Sequence, residues 1–307
     1  MKQVLIATEK PFSKVAVEGI RTVIEQAGYE LKVLENYKTK QELLEAVAEV
    51  DALIVRSDKV DKEVIEAASK LKIVVRAGAG YDNLDLENCS AKHVIAMNTP
   101  GQNSNAVAEL VFGMLVFGVR NHFNGSSGSE LRGKSLGIHA YGNVGHFVGQ
   151  VALGFGMKVY AYDPYVTADR MESDGIEPVN SIEELYRTCE VISLHIPATE
   201  STIKSINKPL LMMMPKGAVL INTARKEVIN EEDLVEVMDE RDDFIYLSDI
   251  IPSNADVFKT KFPNRHFFTP KKMGAQTEEA NVNAGVAAAR QIVSFFTSGD
   301  ETFRINR

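Results

Sequence analysis

Residues 134–163 read KSLGIHAYGNVGHFVGQVALGFGMKVYAYD. A short apolar run, Leu136–Ala140, leads into Gly142-x-x-Gly145, then a helical pattern, then a second apolar run that ends at Asp163. The order is strand, glycine turn, helix, strand, acid. That order sets a dinucleotide pyrophosphate on a helix N-terminus and a ribose on a carboxylate. Gly142, Asn143, Val144 and Gly145 are the expected pyrophosphate contacts. Asp163 is the expected ribose acceptor and, by repelling a 2′-phosphate, favours NAD over NADP. Ala140 stands where the first glycine of G-x-G-x-x-G is usual. The turn tolerates it on the expectation that its φ is negative.

Outward from this segment the chain alternates strand and helix. On the N-terminal side, strands are expected at Val4–Ala7, Glu30–Leu34, Ala52–Val55, Ile73–Arg76 and Val94–Met97, with helices between them. On the C-terminal side the expected strands are Lys158–Tyr162, Val191–Leu194, Ala218–Asn222, Phe244–Leu247 and His266–Thr269, followed by an alanine-rich helix, Glu278–Phe296. Alternation of this kind predicts two doubly wound α/β units with parallel sheets, ligands at the carboxyl ends of the strands, and a cleft between the units. Ser104–Val119 (SNAVAELVFGMLVFGV) is apolar all round, so burial from several sides is expected. Asn121–Ser129 is small and polar and reads as a mobile loop.

The 307 residues carry a net charge of −8, have no basic cluster and are 45% hydrophobic, which argues against nucleic acid and for a sizeable core. The N-terminus lacks the form of a signal peptide, and no apolar run is long enough to span a membrane. A soluble cytoplasmic protein is expected. Cys89 and Cys189 fit neither a metal spacing nor a disulfide framework, so no metal is expected.

Several strand ends carry chemistry. Arg225 follows the apolar run Val219–Asn222 and could clamp a carboxylate through its planar fork or lie at the surface. Asp249 could face a cofactor carboxamide or cap the following turn. Lys271 and Lys272 follow Thr269-Pro270.

These pieces carry a family resemblance. VVRAGAGYDNLDL (74–86), NTPGQNSNAVAEL (98–110), the glycine turn through Asp163, PKGAVLINTAR (215–225) and TPKKMGAQTEEA (269–280) resemble the D-isomer-specific 2-hydroxyacid dehydrogenases, over nearly the whole chain. Within that family the chain is most similar to short-form phosphoglycerate dehydrogenases. The resemblance implies a Rossmann cofactor domain, residues 99–276, inserted into a flavodoxin-like substrate domain, residues 1–98 and 277–307. It also implies a homodimer joined through the cofactor domains and the long apolar helix. The implied reaction moves a hydride between NAD(H) and a small phosphorylated 2-hydroxy acid, 3-phosphoglycerate giving 3-phosphohydroxypyruvate as in the first step of serine biosynthesis. Further cofactor contacts are implied at Ala79, His195, Ile196, Pro197, Thr223, Ala224, Asp249 and Gly274. Substrate contacts are implied at Arg56, Ser57, Arg76, Ala77 and Gly78, with the two arginines on a phosphate and the loop amides joining Arg225 on a carboxylate.

The family's catalytic arginine, glutamate and histidine correspond here to Arg225, Asn254 and Lys271. Two of the three therefore depart from the pattern. Free lysine titrates near ~10.4, so a lysine base favours oxidation at alkaline pH, while an ammonium is a ready acid for reduction. An ammonium also needs no glutamate to orient it. Lys272 is expected to point away, as neighbours on an extended segment do. Dehydrogenases of other hydroxy acids, such as 4-phosphoerythronate, glyoxylate or hydroxypyruvate, stay open, as does an NAD-responsive binding module without turnover.

Overall fold

Two all-parallel sheets organise the chain in the computed structural model, which describes residues 1–306. Internal contacts divide it into one compact unit of Met1–Asn103 with Gln276–Arg307 and a second of Ser104–Ala275.

The first unit runs β1 (Gln3–Thr8), α1 (Lys14–Gln26), β2 (Glu30–Glu35), α2 (Lys40–Val47), β3 (Ala52–Val55), α3 (Lys62–Ala67), β4 (Ile73–Arg76), α4 (Leu86–Ala91) and β5 (Ile95–Asn98). Its strand order is β2-β1-β3-β4-β5. Side chains alternate across this sheet with period two. Val4 and Ile6 enter one apolar layer, while Leu5 and Ala7 enter the other. The helices start where the sequence supplies caps. Ser13 accepts from the Ala16 N–H, and Thr39 and Glu42 form a reciprocal capping box. The topology reverses between β1 and β3, so the loops after these two strands border the expected ligand crevice of this sheet.

The second unit runs α5 (Ser104–Val119), β6 (Ser135–His139), α6 (Asn143–Gly154), β7 (Lys158–Tyr162), α7 (Ala168–Ser173), β8 (Glu177–Pro178), α8 (Ile182–Thr188), β9 (Val191–Leu194), α9 (Lys208–Leu211), β10 (Val219–Asn222), α10 (Glu231–Glu240), β11 (Ile245–Ser248), α11 (Ala255–Lys261) and β12 (His266–Phe268). Its order is β12-β11-β10-β9-β6-β7-β8, with the reversal between β6 and β9. The chain then returns to the first unit as α12 (Glu278–Ser298), capped by Thr277 and ended by Gly299 at φ 70°. Ala284, Ala288 and Ile292 of α12 pack with Ala16, Ile20 and Ile24 of α1. Beyond α12, Asn306 accepts from the Ala96 N–H at 2.8 Å and donates to the Val94 carbonyl at 2.9 Å, which covers the free edge of β5.

The polar segment Asn121–Ser129 opens with a bonded turn. Asn121, His122 and Phe123 all take left-handed φ, at 52°, 56° and 55°. His122 stacks on Phe117 with centroids 4.7 Å apart, and the Asn121 amide donates to Ser126 and Ser127. Within the chain, helix α5 buries one broad face. Ala108, Val111, Phe112, Met114 and Leu115 are buried, but Asn105, Glu109 and Gly113 are exposed and Leu110, Val116 and Phe117 are only half-covered within the chain.

Cys89 and Cys189 are free and buried, and burial pushes both thiols up to about 12. Among the described residues no helix is long and apolar enough to cross a membrane.

Two histidines lie at the carboxyl ends of β6 and β9, where the His195 N–H donates to the His139 carbonyl at 2.9 Å. The His139 ring bonds the Tyr186 hydroxyl at 3.3 Å, and the His195 ring bonds the Ser193 hydroxyl at 2.9 Å. Burial holds His139 down to about 4. Burial and the neighbouring His139 hold His195 down to about 3. Unfolded, each titrates near 6.5. The unfolded state therefore binds more protons below that pH, and stability present above about pH 6.5 is lost as pH falls toward 4. The expected loss is on the order of 3 kcal/mol for the buried His139, read from urea-unfolding midpoints between pH 7 and 4. A midpoint that stays flat across this range would contradict it.

Candidate active site

The glycine turn begins where β6 ends. Gly145 is required by a close approach: a Cβ there would meet the Ala140 carbonyl oxygen at 2.4 Å. Helix α6 thus seats directly on the end of its strand. Gly142, its N-cap, has open space on its Cβ side and supplies no side-chain cap, and both Gly142 and Asn143 are exposed. The first-turn N–H groups are left to an external acceptor. Val144 is half-buried and Gly145 buried. Ala140 corrects the expectation of a negative φ. It sits at φ 80°, a region that costs a residue with a Cβ roughly 1–2 kcal/mol.

Asp163 follows β7. Its carboxylate accepts from the Tyr141 N–H at 2.8 Å and from the Tyr165 N–H at 2.8 Å, one through each oxygen. The acid that would take the ribose therefore also ties the turn to the neighbouring strand end, and each oxygen keeps a lone pair for a further donor. His146 bonds Asp174 at 2.9 Å. Ile196 is buried and Pro197 exposed just after His195.

On the other side of the reversal, the loops after β10, β11 and β12 are held by polar groups that end apolar strands. Asn222, fully buried, accepts from the Ala224 N–H and donates to the Arg225 carbonyl, both at 2.9 Å. Arg225 is half-buried and its guanidinium donates to the Ala224 carbonyl at 2.8 Å. The Thr223 hydroxyl is buried without a hydrogen-bond partner among the described residues.

Asp249, 1% exposed, accepts from the Thr269 hydroxyl at 2.8 Å and from the Met273 and Gly274 N–H groups at 2.7 and 2.8 Å. These partners lie in the segment after β12, so the carboxylate does not cap the turn that follows Asp249. These three bonds close residues 269–274 around the carboxylate, with Lys271 exposed between the tied ends. The segment bends at Pro270–Lys271, so the extended geometry expected for Lys271 and Lys272 is not formed, and both are exposed. Asn254 starts α11 without capping it. Its amide donates to the Glu231 carbonyl at 3.3 Å, and its Oδ1 is buried with no partner among the described residues.

In the first unit, Arg76 ends β4 and its Nε donates to the Arg56 carbonyl at 3.0 Å. Its two terminal nitrogens carry no partner among the described residues. Burial and the charge of Arg56 work against its own charge, and the charge of Asp82 partly offsets them. Gly78, at φ 147°, makes room for it, because a Cβ there would lie 1.4 Å from the Arg76 Nη1. Arg56 is more fully engaged. It donates to the Lys10 and Pro11 carbonyls at 3.2 and 3.0 Å and to the Asn281 amide oxygen at 2.5 Å, and it lies over the Phe12 ring. Ser57 and Ala79 are exposed, and Ala77 is buried. The Ala77 N–H donates to the Val55 carbonyl, so that loop amide is already used.

Asn222, Tyr141, Asp174 and Glu231 were not singled out as site residues from the sequence. The one available signal was the polar residue closing an otherwise apolar strand, as at Asn222. Among the described residues no cluster of His, Cys, Asp and Glu could hold a metal.

The glycine turn, the acid after the next strand and the reversal between β6 and β9 define a dinucleotide-binding α/β protein. Residues 116–270 match the NAD binding domain of the D-isomer specific 2-hydroxyacid dehydrogenases, and the chain belongs to that family. It is 37% identical over 276 residues to a D-3-phosphoglycerate dehydrogenase of Methanocaldococcus jannaschii, covering 83% of this chain and 51% of that one. It is 34% identical over 288 residues to a hydroxypyruvate reductase of Thermotoga maritima, covering 86% and 90%. The chain thus spans about half the length of the first of these relatives. A crystal structure of NAD+-bound 3-phosphoglycerate dehydrogenase from Entamoeba histolytica superposes with a TM-score of 0.87 at 48% identity, covering 100% of this chain and 99% of that one.

The Asp249 loop makes a sharp prediction. In Asp249→Asn one of the two backbone donors, Met273 or Gly274, meets an NH2 group in place of an acceptor. Stability is expected to fall by roughly 2–3 kcal/mol in urea titration. A change below about 0.5 kcal/mol would show that these bonds do not hold the loop.

Proposed function

We propose that this protein is an NAD-dependent dehydrogenase acting on a phosphorylated 2-hydroxy acid, with 3-phosphoglycerate and 3-phosphohydroxypyruvate as the pair. The residues fit the cofactor: an N-terminus of α6 without a side-chain cap, a glycine that only a hydrogen can replace, and the orphaned Thr223 hydroxyl. Asn143, Val144 and Gly145 would hold the pyrophosphate, Asp163 the ribose, and Thr223 and Ala224 the nicotinamide half. When bound, the nicotinamide accepts or supplies the hydride.

The observation that carries the substrate class is Arg76. It is a part-buried guanidinium with free terminal donors beside a second arginine, and an anion relieves that repulsion. Arg225 takes the carboxylate. In reduction, C2 of the keto acid gains the hydride while its oxygen takes a proton from the Lys271 Nζ. The exposed amine then recovers a proton from solvent. Oxidation reverses both transfers. Asn254, at the family's glutamate position, brings no charge to this exchange.

A second reading rests on Arg56, whose donors are largely spent on Lys10, Pro11 and Asn281. A single available arginine also suits an unphosphorylated acid, and hydroxypyruvate reductase is among the relatives.

Lys271→Met is expected to lower kcat by about 10²–10⁴-fold while NADH binding is retained. Unchanged turnover would remove Lys271 from the mechanism. No turnover in the unaltered protein with NADH still bound would assign a binding role instead. Arg76→Gln is expected to raise KM for 3-phosphohydroxypyruvate by roughly tenfold or more, with little effect on hydroxypyruvate. Equal effects on both substrates would place the phosphate elsewhere.

A further inference from the structure

Ala140 is held in a backbone conformation that its side chain resists, and nothing on the residue itself pays for that. Asparagine or aspartate can support a left-handed φ through a local hydrogen bond, but alanine cannot. The support lies in the next residue. The Tyr141 N–H donates to Asp163 Oδ2 at 2.8 Å, and its hydroxyl donates to Asp174 Oδ2 at 3.1 Å. Asp174, at the C-cap of α7, gathers two more donors on the same oxygen: the His146 Nδ1 at 2.9 Å and Arg170 at 3.4 Å. Tyr141 is 4% exposed and its ring meets His146 edge-on at 6.1 Å. Burial and Asp174 push the phenol well above its ordinary range, so it stays a donor. Tyr141 and His146 flank Gly142–Gly145, so one carboxylate grips both ends of the turn. Returning Ala140 to a negative φ would swing the Tyr141 N–H and ring away from both acids.

We propose that Tyr141, Asp174 and His146 form a brace that holds Ala140 left-handed and keeps the turn before α6 shaped for a dinucleotide pyrophosphate. Tyr141 and Asp174 are then positioning residues for cofactor binding. This rests on the cofactor reading above.

A double-mutant cycle tests it. NADH Kd is measured by calorimetry for the full chain, with Tyr141→Phe or Asp174→Asn made alone and together with Ala140→Gly. Glycine takes a left-handed φ freely, so it removes the need for a brace. Alone, Tyr141→Phe is expected to raise Kd about fivefold to tenfold. Combined with Ala140→Gly, the same change is expected to cost less than about twofold. Asp174→Asn should follow the same pattern, and Tyr141→Phe, which removes only one oxygen, carries the test if Asp174→Asn does not fold. Equal fold-changes with and without Ala140→Gly would overturn the brace, because simple packing loss is not rescued by a glycine. If the unaltered protein binds no NADH, the cofactor reading fails. The same cycle read in unfolding midpoints then decides the brace separately, with rescue supporting it and additivity overturning it.

Discussion

Helix α6 begins so close to the end of β6 that position 145 has no room for a Cβ beside the Ala140 carbonyl. This approach sets the direction in which the first N–H groups of the helix point, and the chain leaves β6 by an abrupt left-handed step at Ala140. A glycine would take that step without cost. Here an alanine takes it, and the surrounding acids make it tolerable. Asp163 has two tasks in consequence. It bonds the turn from the next strand and still offers lone pairs to a ribose. The turn is therefore a tertiary object, made by β6, β7 and the end of α7 together, although its residues are contiguous.

The loop that carries Lys271 is built on the same principle, with a buried carboxylate at its centre. Asp249 collects three donors from residues 269, 273 and 274. A buried charge is costly unless it is fully hydrogen-bonded, and here the bonds that satisfy it also close the loop. Asn222 does similar work for Arg225 with a neutral amide. Asn222 organises the residues that follow it, whereas Asp249, at the end of β11, organises the loop after the neighbouring strand β12, and in both cases the side chain proposed for chemistry is carried on the organised segment. The structure thereby separates the groups that shape the site from those that would react.

Much of this was legible in the sequence. Alternating apolar runs gave the strands to within a residue or two at most ends, because parallel strands buried on both faces leave little choice of residue. The strand–turn–helix–strand–acid order around residues 134–163 located the dinucleotide turn. Composition reports the polarity of the 121–129 loop. It does not report its three left-handed residues or the stack of His122 on Phe117. Arg56 was legible as an arginine at a strand end, but its engagement by Lys10, Pro11 and Asn281 was not, since those partners lie 46, 45 and 225 positions away.

By itself the sequence determined the class of fold, the turn that meets a dinucleotide, and the departures at Ala140, Asn254 and Lys271. The first two follow from local period and residue identity, and the departures from the resemblance to the family's pattern. Only the tertiary structure decided what each polar group does. It showed Ala140 left-handed, Asp249 turned onto the loop after β12, Arg56 spent within its unit and Arg76 left with open donors. The physical reason is that a hydrogen bond depends on where two groups meet in space. Residues far apart along the chain supply the partner that makes a given side chain available or takes it out of use.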